Sequence, residues 1–139
     1  MNKELIINII AFLLVGNIFA QNRILKGKIV DENFAPIPFV SIKTIKNENN
    51  FVADKLGDFE IIIAESEKEI EVNYVGLLTE KVNIENKCFL NIIMLRNYII
   101  EFETIQEEGK FYKKLRRKTE LKYKKAIKNR ILKKEENCR

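Results

Sequence analysis

The stretch EIEVNYVG, residues 69–76, alternates without a break: Ile70, Val72 and Tyr74 fall on one side, and Glu69, Glu71 and Asn73 on the other. A period of two is what a half-buried strand requires. On a helix the same residues would scatter around the axis. Gly76 then stops the run. Working outward from it, the same pattern recurs in short segments. ILKGKIV (24–30) sets Leu25, Gly27 and Ile29 against Lys26 and Lys28, and FVSIKTI (39–45) is again extended. FVA (51–53) is a brief run, after which Phe59, Ile61 and Ile63 share a face, with Val82 and Ile84 in phase further on. CFLNIIML (88–95) is apolar on both faces, as in a central strand covered on both sides. Turn residues punctuate the runs. Pro36 and Pro38 fix φ and cannot donate to a ladder. Gly57 can take positive φ, Asp54 can cap the turn around it, and Gly76 breaks the next strand. About seven short strands with turns between them predict an all-β sandwich.

Composition narrows the function. The chain has 139 residues, 46% hydrophobic and 32% charged, which suits one folded domain. It has no histidine. That removes Ser-His-Asp and Cys-His nucleophilic schemes and His-rich zinc sites. No spacing of acids singles out a carboxylate pair. Asp54 and Asp58 flank Gly57, but the acidic ligand series of a calcium loop is missing. No catalytic residue, metal site or cofactor is expected.

The amino terminus reads as an address. Lys3 precedes an apolar run from Leu5 to Phe19, broken only by Asn8, Gly16 and Asn17 and ending in Ile-Phe-Ala before Gln21. That is the pattern of a cleaved secretory signal over residues 1–20. An uncleaved anchor is the alternative, although the run is shorter than a spanning helix needs. Export to the periplasm or outer membrane is the expectation, in an oxidising compartment. Cys88 reads as a buried small hydrophobe and Cys138 as a free or intermolecular thiol. A bridge between them is the other reading, and it would pin the tail.

LKGKIVDENFAPIPFVSIKTI, ADKLGDFEI and IEVNYVG in that order resemble the carboxypeptidase-regulatory-like domain. The matching positions are Gly27, Asp31, Pro36, Ile37, Pro38, Val40, Asp54, Gly57, Phe59, Tyr74, Val75 and Gly76. Phe34 stands where the family usually has a turn glycine, Ala53 where it has threonine and Leu77 where it has tyrosine. The resemblance implies a transthyretin-like sandwich of about seven strands that is regulatory and non-catalytic. Such domains are attached to carboxypeptidases or to TonB-dependent receptors of gram-negative envelopes. IIMLRNYIIEFETIQEE (92–108) loosely resembles the segment that follows the domain in those receptors.

The last segment is different material. Residues 110–139 hold 14 Lys/Arg against 3 Glu, whereas residues 1–109 hold 11 basic against 17 acidic side chains. The chain therefore divides into the signal, an acidic sandwich over 21–108 and a basic, helix-forming tail over 109–139, with Gly109 at the boundary. On a helix Phe111, Tyr112, Leu115, Tyr123, Ala126, Ile127 and Ile131 share one arc, with Leu121 and Leu132 outside it. Lys113, Lys114, Arg116, Arg117, Lys118, Lys124 and Lys125 would supply electrostatic attachment to an anionic membrane surface or an acidic envelope partner. A solvated tail, contact with the protein's own acidic face, and nucleic acid are competing readings. Export disfavours the last. The expected function is an exported binding or scaffolding module. The alternatives are an accessory or truncated fragment of a TonB-dependent receptor system and an accessory subunit of an enzyme.

Overall fold

A computed structural model describes residues 21–98 and 104–138. The proposed signal segment lies outside the described residues. The chain forms β1 (Asn22–Asp31), β2 (Ser41–Thr44), β3 (Asn50–Val52), β4 (Asp58–Ala64), β5 (Glu69–Asn73), β6 (Glu80–Asn83), β7 (Lys87–Met94), α1 (Ile105–Lys128) and β8 (Glu136–Asn137). One sheet has the order β4-β1-β7-β8 and the other β3-β2-β5-β6. The second sheet is antiparallel throughout. In the first, β1 runs antiparallel to β4 and parallel to β7.

The two sheets share one core, so the alternation in β5 finds its counterpart opposite. Ile70 and Val72 of β5 and Ile42 of β2 cluster with Leu25 and Ile29 of β1, Phe59, Ile61 and Ile63 of β4, and Leu90, Ile92 and Met94 of β7. Tyr74 and Val82 are partly buried against this cluster. Gly27 is required by close approach. A Cβ there would sit 2.4 Å from Cζ of Phe59, its partner across the β1–β4 ladder.

The turns follow local chemistry. Gly57 has φ 71°, and its N–H donates to the Asp54 carbonyl at 3.1 Å. Asp54 Oδ1 accepts from the Leu56 and Asp58 amides at 2.8 and 2.9 Å. Gly76 has φ 80° in the turn after β5. Pro36 forms an isolated bridge with Val30, and Pro38 follows in the same loop.

Two expectations about this loop need correction. The strand predicted from Phe39 begins only at Ser41. Phe39 itself is left-handed, at φ 57°, and 65% exposed. Its amide donates to the Asp54 carbonyl, which ties it to the neighbouring turn rather than to a ladder. Ile45 lies beyond the end of β2 and is exposed.

Candidate interaction surface

The basic tail is a helix seated on the sandwich. Thr104 caps it, with Oγ1 accepting from the Glu107 amide at 3.2 Å. Glu107 and Glu108 lie in the first turn and Lys125 and Lys128 in the last, each of the sign that favours the helix dipole there. Gly109 is therefore inside α1, a turn past its start, and does not mark its beginning.

The inner face of α1 covers the outer face of β1 and β7. Val30, Ala126 and Leu132 form a second buried cluster, joined by Phe34, Ile93, Tyr123 and Ile127. This explains why β7 is apolar on both faces: Leu90, Ile92 and Met94 serve the first core, and Ile93 serves the second. It also accounts for Phe34, which stands in the left-handed region at φ 66°. A non-glycine residue there costs about 1–2 kcal/mol, and the packing of its ring under the helix offsets that cost.

Polar contacts fix the register of helix on sheet. Arg116 Nη1 donates to Glu80 Oε2 at 2.8 Å, and Glu80 is largely buried. Asn91 Nδ2 donates to the Tyr123 hydroxyl at 3.2 Å and to the Lys133 carbonyl at 2.7 Å. The Tyr123 hydroxyl donates onward to Glu135. Burial raises the pKa of Tyr123; the bond donated by Asn91 works against this, and the Glu135 carboxylate adds to it. Near the helix start, the Tyr98 amide donates to the Tyr112 hydroxyl at 3.1 Å, and the Tyr98 and Phe111 rings meet edge to face. The Tyr98 hydroxyl donates to Glu32, and that bond is the main reason its pKa is raised.

After Lys128 the chain folds back. Arg130 is left-handed at φ 58°, and the amides of Ile131 and Leu132 both point to the Ala126 carbonyl. The reversal turns Leu132 into the second cluster and leaves Ile131 exposed. That is the opposite of the helical arc read from the sequence, because neither residue is on the helix. The strap that follows lays Lys133 over the Phe89 ring and pairs β8 with β7. Lys87 bonds Glu135 at 2.9 Å. Cys88 and Cys138 are joined by a disulfide with Cα atoms 5.0 Å apart. The unpaired reading of these cysteines is thus corrected. The tail returns to β7, which brings the two sulfurs together.

The predicted cations separate into two groups. Arg116, itself half-exposed, bonds the buried Glu80 and serves docking. Lys113, Lys114, Arg117, Lys118, Lys124 and Lys125 are exposed. Of these, only Lys124 has an acidic partner among the described residues, Glu120 one turn back. Lys110 and Lys128 belong to the same exposed helix surface and were passed over in the sequence. At 100° per residue, Lys110, Lys114, Arg117, Lys124 and Lys128 line up opposite Thr119 and Ala126, the buried residues of α1. They form a stripe about 27 Å long at 1.5 Å per residue, with exposed Leu121 near its middle.

A depression of about 490 Å³ is lined in part by Lys26, Asp54, Asp58 and Glu60. Asp54 caps its turn, Asp58 pairs with Lys28 and Glu60 with Lys26. Among the described residues there is no group of three or more potential metal ligands, and no helix is long and apolar enough to cross a membrane.

Among curated proteins none matches this sequence. The family of the CarboxypepD_reg-like domain matches residues 25–106, from within β1 to the second residue of α1. Most of the docked helix and the whole strap therefore lie beyond the matched segment. The match takes in β2 to β7 entire and more than half of the chain, and the protein belongs to the CarboxypepD_reg-like domain family.

Proposed function

We propose that this protein is an exported, non-catalytic binding or scaffolding module of the cell envelope, held at an anionic surface by the outer face of α1. The observation that carries the reading is the division of the helix into two faces. The inner face is anchored by Ala126, Tyr123 and Arg116, so the outer cations are held as a rigid stripe rather than spread along a solvated arm. Each cation near an anionic leaflet contributes about 1 kcal/mol of attraction, lost as salt rises. Two further points support the reading. The matched family is a regulatory-like domain, not a catalytic one. The Cys88–Cys138 bridge suits an oxidising compartment, in keeping with the signal-like pattern of residues 1–20.

The test is co-sedimentation with phosphatidylglycerol-containing vesicles and with neutral vesicles, at low and high salt. A variant carries glutamine at positions 110, 114, 117, 124, 125 and 128. Substitution replaces truncation here, because removing α1 would uncover Val30 and Ile93 and leave Cys88 unpaired. The expected result is salt-sensitive binding to anionic vesicles only, abolished in the variant. Equal binding by both proteins, or none by either at low salt, overturns the attachment.

A further inference from the structure

Among the described residues, three of the four sheet edges are blunted in ways that natural sheets use to avoid edge pairing. β3 has three residues, β6 four, and β8 two beside an irregular register. The fourth edge, β4, has seven residues, and among the described residues it pairs with β1 alone. Its outward position 62 is an isoleucine, 62% exposed, where a protected edge would carry a charge. Its ladder partner Ile24 is 47% exposed on the same face.

The free backbone groups of β4 follow from parity. The Ile29 amide donates to the Gly57 carbonyl and the Glu65 amide to the Gln21 carbonyl, in register with the β1–β4 ladder. The odd residues of β4 therefore bond β1, and the even residues face the open side. At the ends these even groups are engaged. The Asp58 amide bonds Asp54 Oδ1, the Asp58 carbonyl accepts from the Asp54 amide, and the Ala64 carbonyl accepts from the Glu67 amide. Among the described residues, both groups of Glu60, both of Ile62 and the Ala64 amide remain open.

We propose that this edge pairs with the same edge of a second copy of the chain, antiparallel and centred on Ile62. In that register Ile62 exchanges both backbone bonds with its counterpart, and the Ala64 amide of the second copy donates to the Glu60 carbonyl. The Glu60 amide meets the Ala64 carbonyl of the second copy, which accepts it on its second lone pair beside the bond from the Glu67 amide. Ile24 and Ile62 of both copies form one apolar strip across the joined sheets. Glu60, already paired with Lys26 at 2.8 Å, faces an alanine. A register centred on Glu60 would set two glutamates opposite each other, and one centred on Ile61 would set Glu60 against isoleucine; both are worse matches across strands. The two-fold register that sets exposed Ile62 against itself and keeps Glu60 away from its own copy favours a second copy over a foreign strand.

Sedimentation velocity on the oxidised protein, from micromolar to several hundred micromolar, tests the pairing. A monomer–dimer equilibrium is expected. Ile62→Lys should weaken it at least about tenfold by placing like charges opposite each other, with an unchanged far-UV spectrum because the side chain is exposed. Counterparts in a bonded antiparallel pair lie about 5.5 Å apart at Cα, within disulfide range. Ile62→Cys should therefore cross-link to its own copy on oxidation, and Glu60→Cys should not. A monomer across the whole range, a dimer indifferent to Ile62→Lys, or preferential cross-linking through position 60 overturns the proposal.

Discussion

Replacing Cys88 and Cys138 together with serine removes a bridge that closes 50 residues of sequence between β7 and the end of the strap. The restriction such a link places on the unfolded chain grows with the logarithm of loop length, and at this separation it amounts to about 4 kcal/mol at 25 °C. The folded state recovers part of this. β8 is only two exposed residues long, so the strap can loosen locally once the link is gone. The expected net loss is about 2–4 kcal/mol, a fall in Tm of roughly 10–15 °C for a domain of this size. The assay is urea unfolding of the oxidised protein, the protein with dithiothreitol and the Ser/Ser variant, with free thiols counted in the native state. The reduced protein and the variant should agree. A loss below about 1 kcal/mol, or two titratable thiols in the untreated native protein, would refute the reasoning, since either result means that the strap does not return to β7.

Gly109 lies in α1, and a Cβ placed there meets nothing within 4 Å. Gly109→Ala should raise stability by about 0.5–1 kcal/mol in urea titration, and no gain would mean that the first turns of the helix are not formed. Tyr123 has its pKa raised, first by burial, so folding favours its neutral form. Its contribution is intact below pH ~10, the ordinary value, and is lost as pH rises through the raised value. Tyr123→Phe should flatten that alkaline decline in unfolding measured from pH 8 to 11.5; parallel curves for the two proteins would contradict the docked position of the ring.

Much of the sandwich was legible because alternation reports directly on a two-faced strand. Residues 69–75 gave one face to the core, and the doubly apolar run at 88–95 announced a cover on its second face. What covered it was not legible. The inner arc of the tail was readable as far as Ile127, because helical period carries that information. Beyond it the reversal at Arg130 decided the outcome. An arginine with positive φ has no sequence signature of the kind a glycine supplies. Arg116 looked like its cationic neighbours, since only tertiary structure brings Glu80 to it. The cysteine bridge could be read only as an alternative for the same reason, as its geometry depends on the tail folding back. Phe34 was the clearest missed signal. An aromatic residue at a position that usually calls for glycine implies a compensating contact, and α1 supplies it.

The parallel pairing of β1 with β7 has a consequence for the order of events in folding. The second sheet is built from β2, β3, β5 and β6, with every ladder antiparallel and most partners close in sequence, so it can assemble early. The first sheet cannot be completed in the same way. One side of β1 finds β4, but its other side waits for residues more than sixty positions further along. Contacts of such long range are slow to form, because loop closure precedes any gain from burial. The helix can cover Val30 and Ile93 only after β7 has joined β1. The central strand β1 thus stays open on one edge until β7 reaches it, and on its outer face until the helix follows.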